Sequence, residues 1–375
     1  MNVGIIGCGN ISTTYLELAS LFHGLTITAV SDLDESRARA QAEEYGCEAM
    51  TVENLLRDSS IEAVINLTVP AVHAEVSTAV VKAGKHVYSE KPYVLTLDDG
   101  LALGKLAEDQ KVRIGSAPDT FLGGAHQAAR ALVDSDRVGA IVGGSCHFMN
   151  HGLEDWHPDP DFFYQPGGGP VLDMGPYYIS NLVQLIGPVS RVVALTSMPF
   201  STRTISSEPR AGEIIPVGTA TSAAALLEFV SGAQITLSMS WDVWSHEHNC
   251  MELYGTNSTL YVPDPNFFGG ELRLNRGQED EVVAVDHPLA EINQFPEEDS
   301  DEEPRANYRG IGLADMIAAI GEGRAHRCDN RFALHVIDVM TSILKSGEEK
   351  RIVDIASSCE RPAALDGAAA RALLA

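Results

Sequence analysis

The sequence predicts an α/β chain in two parts. A doubly wound parallel sheet is expected over residues 1–118, and an α+β domain with an open, mostly antiparallel sheet over 119–375. Three observations lead there. The length, 375 residues, is that of two domains. Short apolar runs alternate with helical periodicity up to about residue 118. Beyond it, strand-like runs follow one another with few helices between them.

The elements can be justified in order. Residues 2–8 read as a buried parallel strand, and Tyr15, Leu18, Ala19 and Phe22 then recur at helical spacing. Residues 25–32 (LTITAVSD) are a second strand, 34–45 a helix, and 61–68 (IEAVINLT) a third strand. Val76, Ala79, Val80 and Ala83 mark another helix. A short strand at 85–90, a helix at 96–110 and a strand at 112–117 complete the alternation. Right-handed crossovers put the carboxyl ends of such strands along one edge, where ligands bind. In the second half, strands are expected at 140–149, 190–198, 223–230, 233–241, 251–254 and 259–263. One helix is expected to span 172–186, another 307–321, and a late one to carry Leu334, Ile337, Thr341 and Leu344. The proline-bounded acidic run at 296–304 reads as a solvated loop. The Ala-rich tail receives no assignment.

Composition removes several classes of function. The formal net charge of -26 repels phosphate backbones, so nucleic acid is not an expected partner. An anionic ligand must therefore be held by a local device. Either solubility or a saline habitat would account for the acid excess. Six cysteines are scattered without a CxxC pair, which fits reduced thiols rather than a disulfide framework or a zinc ribbon. There is no secretory leader pattern and no apolar run of membrane-spanning length, so a cytoplasmic protein with no membrane contact is expected. No metal is expected: His246 and His248 are the only close histidine pair, and no cysteine stands near them to complete a site.

Gly7-Cys8-Gly9-Asn10-Ile11-Ser12 closes the first strand and fits G-x-G-x-x-[small]. The first glycine permits the tight turn and the second lets a pyrophosphate approach the backbone. The small residue, here Ser12, allows close helix–strand contact. The free N–H groups at Asn10 and Ile11, with the positive end of the helix dipole, face the phosphates. Asp32 closes the second strand at the spacing at which an acid takes the adenosine ribose hydroxyls. Its carboxylate disfavours a 2′-phosphate, so NAD is preferred over NADP; Arg37, a turn or more away, is the one nearby cation.

Two further stretches carry chemistry. Glu90-Lys91-Pro92 follows the carboxyl end of a strand, where a lysine can sit beside a nicotinamide ring and favour a substrate alkoxide. Pro92 restricts the preceding residues to extended or turn geometry. In 167–182 (GGGPVLDMGPYYISNL), Asp173 and Tyr177 would lie one turn apart on one helix face. A nearby lysine would make the phenol a better base, and Asp173 would orient or relay.

Together these stretches resemble the Gfo/Idh/MocA family, the relatives of glucose-fructose oxidoreductase and inositol dehydrogenase. The likeness covers most of the chain: the N-terminal GxGxx, NLTVPAVHAE (66–75), GKHVYSEKP (84–92), GGGPVLDMGPYY (167–178) and HRCDNRFALHVIDVM (326–340). It implies a Rossmann domain followed by an open-faced α+β domain, and NAD(P)-dependent oxidation of sugar or cyclitol hydroxyls or reduction of the matching carbonyls. By resemblance Lys91 is the active-site lysine, Asp173 the aspartate, and Tyr177 stands where inositol-dehydrogenase-like members have histidine. Thr68, Pro70 and His73 match the cofactor-side loop, with Glu90 beside it. A homodimer or homotetramer is implied. Many members carry an arginine near the start of the second domain, whereas this chain reads APDTFLGG at 117–124. Trp156 and His157 are expected near the substrate pocket.

Two other functions fit parts of the pattern. An NAD-dependent glycosidase of the same fold would oxidise and re-reduce the sugar during cleavage. A non-catalytic, cofactor-sensing regulator would not need both Lys91 and Tyr177. A short-chain dehydrogenase is excluded because no tyrosine has a lysine four residues on, and there is no P-loop.

Overall fold

The structure, a computed structural model, describes residues 1–296 and 303–375. The core of the acidic run, 297–302, lies outside the described residues. The first sheet is built from β1 (Asn2–Ile6), β2 (Thr26–Ser31), β3 (Glu48–Ala49), β4 (Ala63–Asn66), β5 (His86–Ser89) and β6 (Ile114–Ser116). Its helices are α1 (Asn10–Leu18), α2 (Glu35–Tyr45), α3 (Val52–Arg57), α4 (His73–Lys82) and α5 (Leu97–Gln110). The strand order is β3-β2-β1-β4-β5-β6 and every pairing is parallel. This is the doubly wound order whose direction reverses between β1 and β4. Local signals start and stop the helices. Asp34 and Thr96 cap α2 and α5 by accepting from Ser36 N and Asp99 N, and α2 stops at Gly46 in the left-handed region. Such caps are worth ~1 kcal/mol each. The short α3 and β3 carry too few periodic residues to stand out in the sequence.

The second half holds α6 (Gly124–Asp134), β7 (Ile141–Met149), α7 (Pro170–Asp173), α8 (Gly175–Ile186), β8 (Val189–Ser197), β9 (Thr202–Thr204), β10 (Ile214–Pro216), β11 (Ser222–Phe229) and β12 (Gln234–Ser240). Then come β13 (Met251–Gly255), β14 (Thr259–Val262), β15 (Leu272–Asn275), β16 (Asp280–Val283), α9 (Ile311–Glu322), α10 (Asn330–Glu349), β17 (Val353–Asp354) and α11 (Gly367–Leu373). Nine strands form one sheet, β16-β15-β14-β13-β7-β12-β11-β8-β17, and a separate hairpin pairs β9 with β10. Only β7 and β12 run parallel. Along β11, Ala223, Ala225, Leu227 and Phe229 are buried while the residues between them face outward. One face of this sheet is therefore covered by helices and the other is open, as period-two alternation requires.

The helix expected over 172–186 is broken. Asp173 ends α7, and α8 begins at Gly175 with Met174 between them. Pro176 has no N–H to donate to the carbonyl of residue 172, and Tyr177 N bonds Met174 O at 3.1 Å instead. The Ala-rich tail forms α11, capped by Asp366.

Helix α10 ties the halves together. It packs on α5 and β6 near its start and on β8 further along. Just before it, Ser116 N donates to Cys328 O, and His326 Nε2 lies 3.0 Å from Ile114 O. Tyr93 and Ala117 from the first half meet Pro176 and Ser180 of α8 around Phe332, Val336 and Met340 of this helix.

Candidate active site

The carboxyl ends of β1, β2, β4, β5 and β6 gather Gly7, Asp32, Thr68, Lys91 and Ala117 at one edge. Gly7 has φ +103°, and a Cβ there would stand 2.6 Å from the Leu67 carbonyl group, so only glycine fits. Gly9 is different: a Cβ would meet nothing within 4 Å. That open face, at the N-cap of α1 where no side chain caps the helix, leaves the amides of Asn10 and Ile11 free to receive a pyrophosphate. Ser12 is fully buried, as the small third position requires, and its hydroxyl donates back to Gly9 O at 2.6 Å. Asp32 accepts from Cys8 N at 2.7 Å and from Asp34 N at 2.8 Å, locking the end of β2 to the glycine turn. These features fit a bound dinucleotide.

Thr68 donates to Asn66 Oδ1, and Pro70 opens a one-turn 3-10 helix. His73 is fully buried, with Nδ1 2.7 Å from Pro92 O and Nε2 2.8 Å from Thr68 O. Its ring therefore reaches the edge indirectly, by joining the loop after β4 to the Glu90-Lys91-Pro92 turn.

Lys91 crosses the seam. Its Nζ lies 2.6 Å from Asp173 Oδ1, 3.0 Å from Asp173 O and 5.4 Å from the centre of the Tyr177 ring. Burial works against the ammonium, but Asp173, Tyr177 and Glu90 outweigh it and hold Lys91 firmly protonated. The Tyr177 hydroxyl makes no hydrogen bond among the described residues, although its side chain is 95% buried by neighbours, at 5% exposure. The structure thus brings Lys91, Asp173 and Tyr177 together.

Glu90 is buried below them. Its carboxylate accepts from Tyr15 Oη at 2.9 Å, from the Lys91 amide at 2.8 Å and from Arg309 Nη1 at 3.4 Å. Burial and this carboxylate push the Tyr15 phenol well above its ordinary value, so it remains a donor. Arg309 comes from the turn before α9, where Asp119 Oδ2 accepts from Gly310 N at 2.9 Å and Gly312 N at 3.0 Å. The segment 117–124 contains no arginine, yet through Asp119 it seats one. Sequence reasoning missed Arg309, Tyr15 and Asp119. Asp119 lies within the quoted APDTFLGG stretch, but nothing there signals a partner 191 residues away.

Trp156 is 63% exposed and sits edge-on to His157, which also meets Phe163. Burial lowers the His157 imidazole, and the Asp159 amide and the Asp159 and Asp173 carboxylates partly offset this. The loop that carries these residues is pinned by a buried ionic network. Arg203 pairs with Glu154 at 2.9 Å and with Asp242, and Glu154 also takes the Tyr164 hydroxyl. His246 and His248 have ring centres 5.9 Å apart, and His248 stacks on His147.

Comparison with known proteins identifies the family and the fold. Residues 1–117 match the profile of the oxidoreductase family with an NAD-binding Rossmann fold, and 126–261 match the GFO/IDH/MocA C-terminal domain. A D-xylose 1-dehydrogenase (NADP(+)) of Haloferax volcanii is 27% identical over 95% of this chain and 100% of its own. Inositol 2-dehydrogenase of Rhizobium meliloti is 22% identical over 94% and 98%. An uncharacterised oxidoreductase of Schizosaccharomyces pombe is 31% identical, but the match spans only 38% of this chain and 39% of that protein. Among solved structures, levoglucosan dehydrogenase in complex with NADH and L-sorbose has the same fold, with a TM-score of 0.78 at 19% identity over 95% of this chain and 99% of that one.

Proposed function

The chain belongs to the Gfo/Idh/MocA family of oxidoreductases, and on that premise we propose that it transfers a hydride between NAD and a carbon bearing a sugar or cyclitol hydroxyl, with Lys91 and Tyr177 at the reacting oxygen. Residues 1–118 bind the cofactor and 119–375 shape the substrate cleft. The observation that carries this reading is the placing of the Lys91 ammonium 5.4 Å over the Tyr177 ring, from opposite halves of the molecule.

NAD supplies the hydride acceptor when the Gly7–Ile11 turn and Asp32 hold it. The chain's own residues manage the oxygen. The Lys91 ammonium donates to the substrate hydroxyl and stabilises negative charge as it forms there. Tyr177, acting as the phenolate, takes the hydroxyl proton as the carbonyl forms, and in the reverse direction the phenol returns it. Asp173 fixes the lysine in place. A positioned acid or base contributes roughly 10²–10⁴ in rate. Trp156 and His157 wall the cleft on the substrate side.

The same reading takes the open sheet face, with Val142, Val193, Leu195 and Leu226 exposed, as the surface through which copies pair into a dimer or tetramer. The six unpaired cysteines fit a cytoplasmic setting.

A panel of aldoses, cyclitols and their keto forms, read by NADH absorbance with NAD and NADP in parallel, tests the activity. Turnover by wild type together with a 10²-fold or larger loss in Tyr177→Phe is expected. Full turnover by Tyr177→Phe would remove the phenol from the reaction.

A further inference from the structure

Arg309 is a largely buried cation for which the reaction above has no use. Its side chain is 13% exposed, and its single hydrogen bond among the described residues is the long 3.4 Å contact with Glu90 Oε1. That carboxylate is already satisfied at shorter range by Tyr15 and by the Lys91 amide. A guanidinium carries five N–H donors in a rigid fork. Here most of them have no protein partner, and none of these nitrogens is among the fully buried unpartnered atoms, so they keep access to solvent. Burial works against the charge, but the Glu90 and Asp119 carboxylates outweigh it and hold the group protonated. Through Glu90, whose other oxygen accepts from the Lys91 amide, the guanidinium stands beside the turn that carries the lysine.

The surrounding charge says what they are for. Lys91 and Arg309 are matched by Asp173 and Glu90, so the cleft carries no surplus positive charge for an acidic substrate. A fork with spare donors and a balanced charge suits neutral oxygen acceptors. Resting on the functional reading above, we propose that Arg309 binds the substrate oxygen on the carbon next to the reacting one. The enzyme then selects vicinal diols in oxidation, and α-hydroxy carbonyls in reduction, over isolated alcohols and ketones. Lys91 and Tyr177 hold the reacting oxygen and Arg309 its neighbour. Two points of attachment fix which C–H faces the cofactor.

The test uses matched pairs that differ by one neighbouring hydroxyl: D-glucose and 2-deoxy-D-glucose, myo-inositol and its monodeoxy cyclitols, cis-1,2-cyclohexanediol and cyclohexanol. In wild type the vicinal member of the pairs that react should have the higher kcat/KM by about 10- to 100-fold, the size of one hydrogen bond to a charged group, mostly through KM. In Arg309→Met the ratio should shrink to within about 3-fold, and Arg309→Lys should keep part of it. NADH fluorescence titration and a thermal scan establish that each variant is folded and loads cofactor. An Arg309→Met enzyme that loses rate on both members equally, with the ratio intact, overturns the proposal and leaves Arg309 a structural partner of Glu90. Tyr177→Phe separates the two readings. If it turns over both members of a pair like wild type, the acid–base assignment fails, whereas an unchanged ratio in Arg309→Met beside an inactive Tyr177→Phe sinks only the present inference. No turnover of any pair by wild type sinks both.

Discussion

The Lys91 ammonium lies 2.6 Å from the Asp173 carboxylate, joining residues 82 positions apart across the seam between the two sheets. Each partner comes from a segment that ends an element: Lys91 from the turn after β5, Asp173 from the last residue of α7. Neither sheet alone holds both. If this pair sets the charge at the reacting oxygen, Lys91→Met should lower kcat by roughly 10²–10⁴ while NADH binding changes little. Lys91→Arg should not restore the rate, because a planar fork cannot replace a compact ammonium. Stopped-flow hydride transfer beside NADH fluorescence measures the two quantities, and normal turnover by Lys91→Met would remove the lysine from the chemistry.

The two glycines of the first turn should respond differently to alanine. At Gly7 a Cβ collides with the Leu67 backbone at 2.6 Å and meets a strained φ of +103°. Gly7→Ala should therefore lower the melting temperature even without cofactor. At Gly9 a Cβ meets nothing, so Gly9→Ala should keep the apo melting temperature and lose NADH affinity by tenfold or more, by an order-of-magnitude estimate. Equal behaviour of the two variants in a thermal scan with and without NADH would contradict this division of labour.

Asp32 occupies the ribose end of the dinucleotide edge. Asp32→Ser should raise KM for NAD and narrow the preference over NADP by roughly tenfold or more, since the carboxylate that repels a 2′-phosphate is gone. Because Asp32 also accepts from Cys8 N and Asp34 N, part of the KM increase will reach both cofactors. The informative quantity is the ratio of kcat/KM values, and a ratio unmoved by the substitution would place the selectivity elsewhere.

The loop that carries Trp156 and His157 depends on Arg203. Removing this guanidinium leaves Glu154 and Asp242 buried without their cation, a change worth ~3–5 kcal/mol for an interior pair. Arg203→Met should lower the melting temperature and expose residues 150–169 to limited proteolysis. A cleavage pattern identical to wild type would mean the loop is held by its aromatic contacts alone.

Acid should destabilise the fold through its buried histidines. Burial lowers His126 to about 4, with Nε2 donating to Phe267 O and Nδ1 facing the Asn181 amide. The unfolded chain, with an ordinary histidine near 6.5, binds the proton first. Stability is therefore fully present above about pH 6.5 and falls as pH drops from there towards 4, by about 3 kcal/mol in all. His287, His326 and His335 are lowered in the same direction, again chiefly by burial. Melting temperatures from pH 7.5 to 4 should fall along this curve, and His126→Gln should flatten it. A fall confined below pH 4 would assign the effect to carboxylates.

Much of this was legible in the residues. The alternation of apolar runs and helical spacing marked five of the sheet's six strands because each of these is largely buried on both faces. The glycine turn, Glu90-Lys91 and Asp173-Tyr177 were visible because their chemistry sits in short contiguous stretches. What escaped lies in long-range pairing. Arg309 reaches Glu90 over 219 positions, and no local pattern marks an arginine that will be buried. Helix α6 escaped because Gly123 and Gly124 weaken its start, although its buried face runs through Ala125, Ala129 and Leu132. The join at Met174 escaped because a proline near a helix start is compatible with the helix that follows and says little about the one before.

Helix α10 runs 20 residues, about 30 Å, with one end seated on β6 and the other under β8. It acts as a strut that rests on both sheets. A substitution that thins its packing, such as Val336→Ala, would therefore be felt at both sheets at once.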